Sequence, residues 1–303
     1  MPELPDVVVY QERLQALTAC TTLRRIRLAS PFVLRSVDPP VSELAGRSVL
    51  GIRRLGKRLV IALEAERFIV IHLMIAGRLH WKAVDAPIPK GRGLAAFDFS
   101  TGSLIFTEAG KKRRASLHLV RGEAALAAFD RGGLEVLAAD LDAFHAALRR
   151  ESHTLKRALT DPGILSGIGN AYSDEILHRA RLSPFKRSGD LDEPELQRLY
   201  QAVRAVLGEW IERLRAEAGN GFPEKVTAFR DGMAVHGRYG LPCPVCGAPV
   251  QRVVYAENEA NYCPGCQTEG RVLADRALSR LLKDTWPRTL EELEQRRPGK
   301  RFR

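Results

Sequence analysis

The stretch ILSGIGNAYSDEILHRA, residues 164–180, divides the chain into two halves with different sequence patterns. Its first six residues, Ile164–Gly169, form an apolar turn that contains two glycines. Asn170 then stands where a side chain can cap a helix, and the pattern predicts that helix over Ala171–Ala180. Backbone N–H groups at the start of a helix favour an anion, so Asn170 is also a candidate anion-binding residue.

The half that precedes this stretch is predicted to be mostly β after one opening helix. Apolar residues at three-to-four-residue spacing predict an amphipathic helix over Val7–Leu17. Short apolar, β-branched runs separated by glycine turns then predict the strands of a β-sandwich or barrel. These runs are Leu23–Leu28, Ser48–Leu55, Arg58–Leu63, Phe68–Leu73, Ala95–Phe99 and Ser103–Thr107.

The second half is predicted to be helical. Two helices, over Asp142–Arg150 and Thr154–Asp161, precede the stretch at 164–180, and a long helix with one apolar face follows it from Glu193 to Ala218. We therefore expect an α+β multidomain protein. Its predicted parts are an N-terminal β-sandwich with an opening helix (2–140), a helical domain (141–234), a zinc finger (235–272) and a basic extension (273–303).

Four of the five cysteines are predicted to bind zinc. Cys243 and Cys246 form one C-x2-C pair, Cys263 and Cys266 form a second, and 16 residues separate the pairs. Four thiolates at this spacing can surround one tetrahedral zinc ion. Disulfides are the competing interpretation, which a cytosolic chain disfavours. Cys20 stands alone and is expected to be a small buried residue.

The charge of the chain indicates a polyanionic partner. Its 303 residues include 47 Lys and Arg against 36 Asp and Glu, a formal net charge of +11. Such an excess favours nucleic acid, although a basic surface without a partner is the alternative. There is no apolar run of membrane-spanning length and no signal-peptide pattern, which predicts a cytoplasmic protein without a membrane partner.

The N-terminus carries a potential nucleophile. The chain begins Met-Pro-Glu-Leu-Pro-Asp, and Pro2 is small enough for Met1 to be removed, which would leave a secondary amine. An α-amino group has a pKa of about 8 against about 10.4 for lysine, so far more of it is unprotonated at neutral pH. An amine of this kind can attack a sugar carbon, expel a base and form an iminium.

Several motifs occur in the order found in one family. They are PELPDV at residues 2–7, Lys57, GIGNAYSDEIL around Asn170 and the terminal four-cysteine hairpin. Along about residues 2–270 the chain resembles the Fpg/Nei family of formamidopyrimidine-DNA glycosylases. The resemblance implies a β-sandwich, a helix-two-turn-helix domain and a zinc finger with one structural Zn²⁺, with DNA bound in the cleft between them.

The resemblance also implies roles for individual residues. Pro2 would be the nucleophile that forms a Schiff base, Glu3 the acid and base that assists sugar ring opening, and Lys57 a general acid or phosphate ligand. A second group would contact DNA near the lesion. These residues are His72, Arg113, Arg114, Lys156, Asn170 and Glu175.

The chain departs from the family pattern in three places. Ile75 stands at the position of a methionine that fills the gap left by the flipped nucleotide, and Ala115 stands where a phenylalanine would follow two arginines. Asn258 replaces a zinc-finger arginine, which leaves δ-elimination open. The basic runs Lys111–Arg114 and Arg296–Arg303 are candidate phosphate contacts, and a solvated surface is the alternative for both.

Taken with these features, the resemblance implies a monomeric base-excision-repair enzyme, active on damaged double-stranded DNA at the nucleoid. It would remove oxidised bases of the formamidopyrimidine and 8-oxoguanine type and nick the strand as an AP lyase. Alternatives are a diverged member that acts on single-stranded, bulky or crosslinked lesions, or a non-catalytic binder of damaged DNA. A zinc-ribbon RNA-binding protein would explain the charge and cysteines but not PELPDV.

Overall fold

A computed structural model describes residues 1–110, 112–224, 226–255, 258–274 and 287–295. The chain separates into two compact units. The N-terminal unit contains residues 1–133 and 208–228, and the C-terminal unit contains 134–207 and 229–303. This clustering does not test the four segments predicted from the sequence, which stay a prediction.

The described residues of the N-terminal unit up to 133 include one long helix, eight strands and one short helix. Helix α1 runs over Leu4–Thr18 and helix α2 over Glu123–Ala127. The strands are β1 (Thr22–Leu28), β2 (Arg47–Leu55), β3 (Arg58–Leu63), β4 (Arg67–His72), β5 (Gly77–Lys82), β6 (Gly93–Phe99), β7 (Ser103–Glu108) and β8 (Ser116–Arg121).

All eight strands are linked by antiparallel pairing in the order β5-β7-β6-β1-β2-β3-β4-β8. Strands β1 and β2 share only two residue pairs, Thr22 with Ser48 and Leu23 with Arg47, so the two halves of the sheet join at a narrow seam. The main apolar core lies against helix α1 and includes Tyr10, Leu14 and Phe97. This arrangement confirms the predicted N-terminal β-sandwich with an opening helix.

Two strands that the sequence patterns did not predict complete the sheet at its two edges. Strand β5, GRLHWK, pairs along its full length with β7, and strand β8, SLHLVR, pairs with β4. Both are six residues long, and each alternates apolar with polar or charged residues over most of its length, which is a short signal for a strand. Their alternation of buried and half-buried positions fits sheet edges.

The C-terminal unit confirms the predicted helical pattern. It contains α3 (Leu141–Arg149), α4 (Leu155–Thr160), α5 (Asn170–Ala180) and the start of α6 (Glu193–Ala218), whose residues from Gly208 onward belong to the N-terminal unit. A hairpin of β9 (Gln251–Tyr255) and β10 (Asn258–Tyr262) follows, then the short helices α7 (Pro264–Gln267) and α8 (Leu290–Gln295). Within the described ranges, no helix is long and apolar enough to span a membrane.

Two local predictions were wrong. Asn170 is the first residue of α5, and Gly169 occupies the cap position with no side-chain capping hydrogen bond. Cys20 is exposed instead of buried. It follows the end of α1 at a φ of 56°, where the chain turns sharply away from the helix.

Candidate active site and metal centre

The N-terminal residues are fixed in position by the start of helix α1. Pro2 is buried, and Glu3 is only 2% exposed. Glu3 is the residue that caps the helix, and its backbone N–H donates a hydrogen bond of 2.9 Å to Asp6 Oδ2. Its carbonyl oxygen accepts from the Val7 N–H at 3.0 Å. The N-terminus therefore has a defined geometry in place of the usual fraying.

The surroundings of the terminal amine favour its unprotonated form. Burial lowers the pKa of the Met1 α-amino group, and the positive charges of Arg78 and Lys57 act in the same direction, while Glu3 and Asp6 oppose it. A lowered pKa increases the fraction of free amine at neutral pH. The environment around residue 1 thus suits a nucleophilic amine, and a carboxylate lies within its electrostatic reach.

Lys57 and His72 belong to the same part of the N-terminal unit. Lys57 lies half-buried in the tight turn between β2 and β3, and His72 ends β4 opposite Arg58. Burial, assisted by the charges of Arg58, Lys57 and His118, lowers the pKa of His72 to about 4. The imidazole is therefore neutral at pH 7. Because the Lys57 charge acts on both His72 and the terminal amine, the three groups share one electrostatic environment.

A rigid turn next to this site presents an apolar side chain to solvent. Ile75 is 55% exposed, and the preceding Met74 has a left-handed φ of 52°. A Cβ on Gly77 would overlap the Leu73 carbonyl oxygen, so the turn closes only with glycine. Arg78 donates hydrogen bonds to the carbonyl oxygens of Ile75 at 3.2 Å and Gly77 at 2.7 Å. Arg78 thus both holds the turn and acts on the terminal amine.

The loop between β7 and β8 is organised by a buried carboxylate. Glu108 is 3% exposed, and its oxygens accept from the backbone N–H groups of Arg114 at 3.1 Å and Ala115 at 3.2 Å. Ala115 packs into the main core, whereas Arg113 and Arg114 are exposed. At the position where the family resemblance expects a phenylalanine wedge, this chain therefore has a buried alanine. Lys111 lies outside the described residues.

A cavity of about 260 Å³ opens beside this loop. It is lined by Ser30, Phe32, Val33, Arg35, Leu94, Glu108, Arg113 and Ala115. Phe32 is 80% exposed at this cavity, which is unusual for an aromatic residue. The sequence patterns did not single out Phe32, since one aromatic residue after a proline carries no distinguishing signal.

In the C-terminal unit, Lys156 is buried and its three ammonium protons all have acceptors. The side chain, on helix α4, donates to the Asn170 carbonyl at 2.7 Å, to Ser173 Oγ at 2.8 Å and to Asp174 Oδ1 at 2.5 Å. Lys156 is 2% exposed and Asn170 is half-buried. The structure thus brings these two predicted residues together, with Lys156 holding the start of helix α5.

Asp174 connects helix α5 to the rest of the unit. While Oδ1 accepts from Lys156, Oδ2 accepts from His236 Nδ1 at 2.8 Å and from Asn261 Nδ2 at 3.1 Å. Asn261 lies on strand β10 of the cysteine hairpin. One buried carboxylate therefore links helix α4, helix α5, the segment before the hairpin and the hairpin itself.

Glu175 has a similar structural position. Its carboxylate accepts from the backbone N–H groups of Ala234 at 2.7 Å and of Val235 and His236 at 2.9 Å each. Burial raises its pKa, and these three hydrogen bonds act against that rise. Glu175 thus fixes the chain that leads into the cysteine hairpin. Its predicted contact with DNA stays a prediction.

The four hairpin cysteines converge. Cys246 Sγ lies 3.3 Å from Cys263 Sγ, and Cys243 Sγ lies 3.9 Å from Cys266 Sγ. Sulfurs that surround a tetrahedral zinc ion at 2.3 Å are about 3.8 Å apart. None of the four is in a disulfide, and Cys243 and Cys263 pack with Val235 and Val250. The donor set fits one zinc ion.

Two further predicted positions have no described contact with the residues of the site. The tail Arg296–Arg303 lies outside the described residues, and the Asn258 backbone pairs with Tyr255 in the hairpin. The sequence patterns in turn missed four residues that organise the site: Arg78, Asp174, His236 and Asn261. Asp174 stands inside the GIGNAYSDEIL motif, so its position could have flagged it.

Three family models match consecutive parts of the chain. The N-terminal domain of formamidopyrimidine-DNA glycosylase matches residues 1–115, the helix-two-turn-helix domain of formamidopyrimidine-DNA glycosylase matches 133–218, and the zinc finger found in this glycosylase and in isoleucyl-tRNA synthetase matches 240–268.

Relatives of similar length include the formamidopyrimidine-DNA glycosylase of Thermus thermophilus, 36% identical over 283 residues, which cover 89% of this chain and 100% of the relative. An uncharacterized formamidopyrimidine-DNA glycosylase-like protein of Mycobacterium tuberculosis is 43% identical over 151 residues, which cover 50% of this chain and 94% of the relative.

Solved structures agree with these matches. One is MutM in complex with DNA containing carbocyclic 8-oxo-G, with a TM-score of 0.78, 26% identity and coverage of 88% of this chain and 100% of that chain. Another is the Lactococcus lactis Fpg (MutM) protein in complex with DNA containing Fapy-dG, with a TM-score of 0.77, 25% identity and the same coverage.

We expect the Lys156 and Asp174 charges to be strongly coupled. Lys156→Met should lower the free energy of unfolding by about 3 to 5 kcal/mol, because it leaves a buried carboxylate without its cation. Lys156→Met combined with Asp174→Asn should recover part of that loss. Urea unfolding of the wild type, both single variants and the double variant measures the coupling, and strictly additive losses would contradict the buried pair.

Proposed function

The chain belongs to the formamidopyrimidine-DNA glycosylase family, and we propose that it is a base-excision-repair glycosylase with AP lyase activity. It removes oxidised bases, of the formamidopyrimidine and 8-oxoguanine type, from double-stranded DNA. The observation that carries the proposal is the buried N-terminus, where the α-amino group of Met1 has a lowered pKa and shares one electrostatic environment with Glu3 and Lys57. The Pro2 nitrogen, one residue further on, would lie in this environment once Met1 is removed.

Removal of Met1 would leave the Pro2 nitrogen as the nucleophile. The nitrogen attacks C1′ of the damaged nucleotide, the bond between C1′ and the base breaks, and the base departs with the bonding electron pair. The proton on the attached nitrogen passes to Glu3. Ring opening, for which Glu3 supplies a proton to the ring oxygen, gives an iminium between Pro2 and C1′. Loss of a C2′ proton then expels the 3′ phosphate, which is the β-elimination of the lyase step.

The cations near the N-terminus have two roles in this scheme. Lys57 and Arg78 lower the pKa of the Met1 amine and would act in the same direction on the Pro2 amine, which favours attack. Lys57 would also act as a general acid or phosphate ligand. The neutral His72 next to Lys57 can donate or accept a hydrogen bond without adding charge. We assign His72, Arg113 and Arg114 to contacts with the DNA.

Residues of the C-terminal unit would grip the DNA backbone. Asn170, half-buried at the start of helix α5, is available for a phosphate beside the backbone N–H groups of that helix start. The charged atoms of Lys156 and Glu175 bind protein partners, so these residues would stabilise the position of Asn170 without contacting the phosphate themselves. They act on DNA binding mainly by holding Asn170 and the segment before the hairpin.

The cysteine hairpin would hold one structural zinc ion through Cys243, Cys246, Cys263 and Cys266. The ion would stabilise the fold of the hairpin and take no part in the reaction, because all four coordination positions are filled by thiolates. We further propose that the protein acts as a monomer in the cytoplasm, at the nucleoid. The net charge of +11 supports DNA as the partner.

An alternative lesion class is favoured by one observation. Ala115 is buried in the core, so the loop after β7 lacks an aromatic wedge at that position, and extrusion from a duplex would depend more on Ile75. A substrate that is already single-stranded or distorted needs less filling of the gap, because less stacking is lost. Comparing the same lesion in single and double strands separates the two candidates.

Covalent trapping tests the nucleophile. Sodium borohydride should reduce the iminium and link the Met1-processed protein to DNA that carries 8-oxoguanine or an abasic site. Pro2→Gly, which replaces the secondary terminal amine with a primary one, should trap more slowly, and Glu3→Gln should retain DNA binding but lose about 100-fold or more in base release. Gel electrophoresis of the trapped complex is the measurement.

A matched control uses the same chain with an additional N-terminal residue that blocks processing. There the Pro2 nitrogen is part of an amide and cannot attack. Equal trapping by the blocked and processed proteins would rule out Pro2 as the nucleophile, and DNA binding without any trapping would support a non-catalytic binder.

The pH profile tests the role of Arg78. Arg78→Met removes a positive charge that lowers the pKa of the Met1 amine and would lower that of the Pro2 amine after processing. Without it the amine becomes harder to deprotonate, and the rise of the trapping rate should move to higher pH. We expect trapping roughly threefold slower at about pH 6.5 and near wild type at about pH 9. Arg78→Lys keeps the charge and should keep the profile; a profile unchanged in Arg78→Met would contradict the electrostatic role.

The duplex requirement tests Ile75. Ile75→Ala should slow base release from duplex DNA about tenfold, because less of the stacking lost on base extrusion is offset, and should leave a single-stranded substrate nearly unaffected. Val37→Ala, which truncates an apolar residue 98% exposed in the same unit, is the control. Wild-type rates that are equal on both substrates would favour the alternative lesion class.

A further inference from the structure

Helix α5 brings a fifth metal-ligating side chain to the cysteine cluster. His178, near the end of that helix, is 7% exposed, and its Nε2 lies 3.3 Å from Cys243 Sγ. The ligand atoms of His178, Cys243, Cys263 and Cys266 all lie within 4.8 Å of one another. The chain therefore contains two overlapping sets of four zinc ligands, which share three cysteines.

The two sets differ in one member. Cys246 is exposed, on a knuckle whose neighbour Val245 is 60% exposed, whereas His178 is buried. Both chemistries are suitable, since structural zinc is bound by four cysteines or by three cysteines and one histidine. An imidazole nitrogen and a thiolate at their usual distances from the same tetrahedral ion are about 3.5 Å apart. The observed separation of 3.3 Å is close to that value.

We propose that His178 is a reserve zinc ligand that takes the place of Cys246 when this exposed cysteine is lost or blocked. The inference rests on the proposed zinc site. In the exchange the bond between zinc and Cys246 Sγ breaks and a bond between zinc and His178 Nε2 forms. Zinc binds the Nε2 lone pair of the tautomer that carries its proton on Nδ1, so the imidazole stays neutral.

With all four cysteines on the metal, His178 has a second role that the same geometry supports. Its Nε2–H then donates to the Cys243 thiolate, which reduces the negative charge on the sulfur. This contact joins helix α5 directly to the metal centre, in addition to the links through Asp174 and Glu175. Retention of zinc after damage to Cys246 would thus preserve the packing of the helix that begins at Asn170.

The test compares zinc retention in four proteins: the wild type, Cys246→Ser, Cys246→Ser with His178→Gln, and Cys263→Ser. Gln keeps an N–H donor but is a poor zinc ligand, so it separates coordination from hydrogen bonding. Each protein is dialysed against a chelator, its zinc content is measured, and circular dichroism confirms that it is folded. Cobalt is then substituted, because the thiolate-to-cobalt absorption scales with the number of thiolates.

We expect one zinc in the wild type and one in Cys246→Ser, with the thiolate-to-cobalt absorption reduced by about a quarter as four thiolates become three. The variant that also carries His178→Gln should lose its zinc about tenfold faster or more, and so should Cys263→Ser, which removes a shared ligand. Equal retention by Cys246→Ser with and without His178→Gln would overturn the reserve ligand, as would zinc loss from Cys246→Ser alone. A wild type without zinc would instead overturn the zinc site itself.

Discussion

The arrangement of the C-terminal unit depends on the burial of two consecutive carboxylates, Asp174 and Glu175, on helix α5. A buried carboxylate is strongly destabilising unless cations and N–H groups surround it. Lys156, His236 and Asn261 satisfy the first, and three backbone N–H groups satisfy the second. Because these donors come from a preceding helix, a connecting segment and the cysteine hairpin, neutralising the two charges also assembles the unit.

Helix α5 is fixed at both ends by side-chain contacts. At its start Lys156 donates to the carbonyl of Asn170, and near its end His178 contacts Cys243. Loss of Lys156 or of Cys243 would therefore remove a contact that holds this helix in position. The buried charged residues of this unit bind other protein groups and so fix the position of Asn170 at the start of helix α5.

In the N-terminal unit, burial and charge act together on the α-amino group of Met1. Burial removes water from the amine and disfavours its charged form, and two cations strengthen the effect, while Glu3 and Asp6 limit it. Arg78 joins this balance to the geometry of the Ile75 turn, because one guanidinium serves both. The charge state of the terminal amine and the position of the exposed Ile75 side chain thus both depend on Arg78.

The sequence by itself determined the β-then-helix order, the long helix Glu193–Ala218 at its observed bounds, the cysteine cluster and the family. These features are local, because periodicity, glycine turns and C-x2-C spacing are set by neighbouring residues. Only the tertiary structure decided that Lys156 and Glu175 bind protein partners and that Ala115 is buried. It also decided that the charge of Arg78 acts on the N-terminal amine and that His178 contacts Cys243. Charge pairing and burial join residues that are far apart in the chain. The spacing of residues in the sequence therefore cannot predict which partner a buried charged group will have.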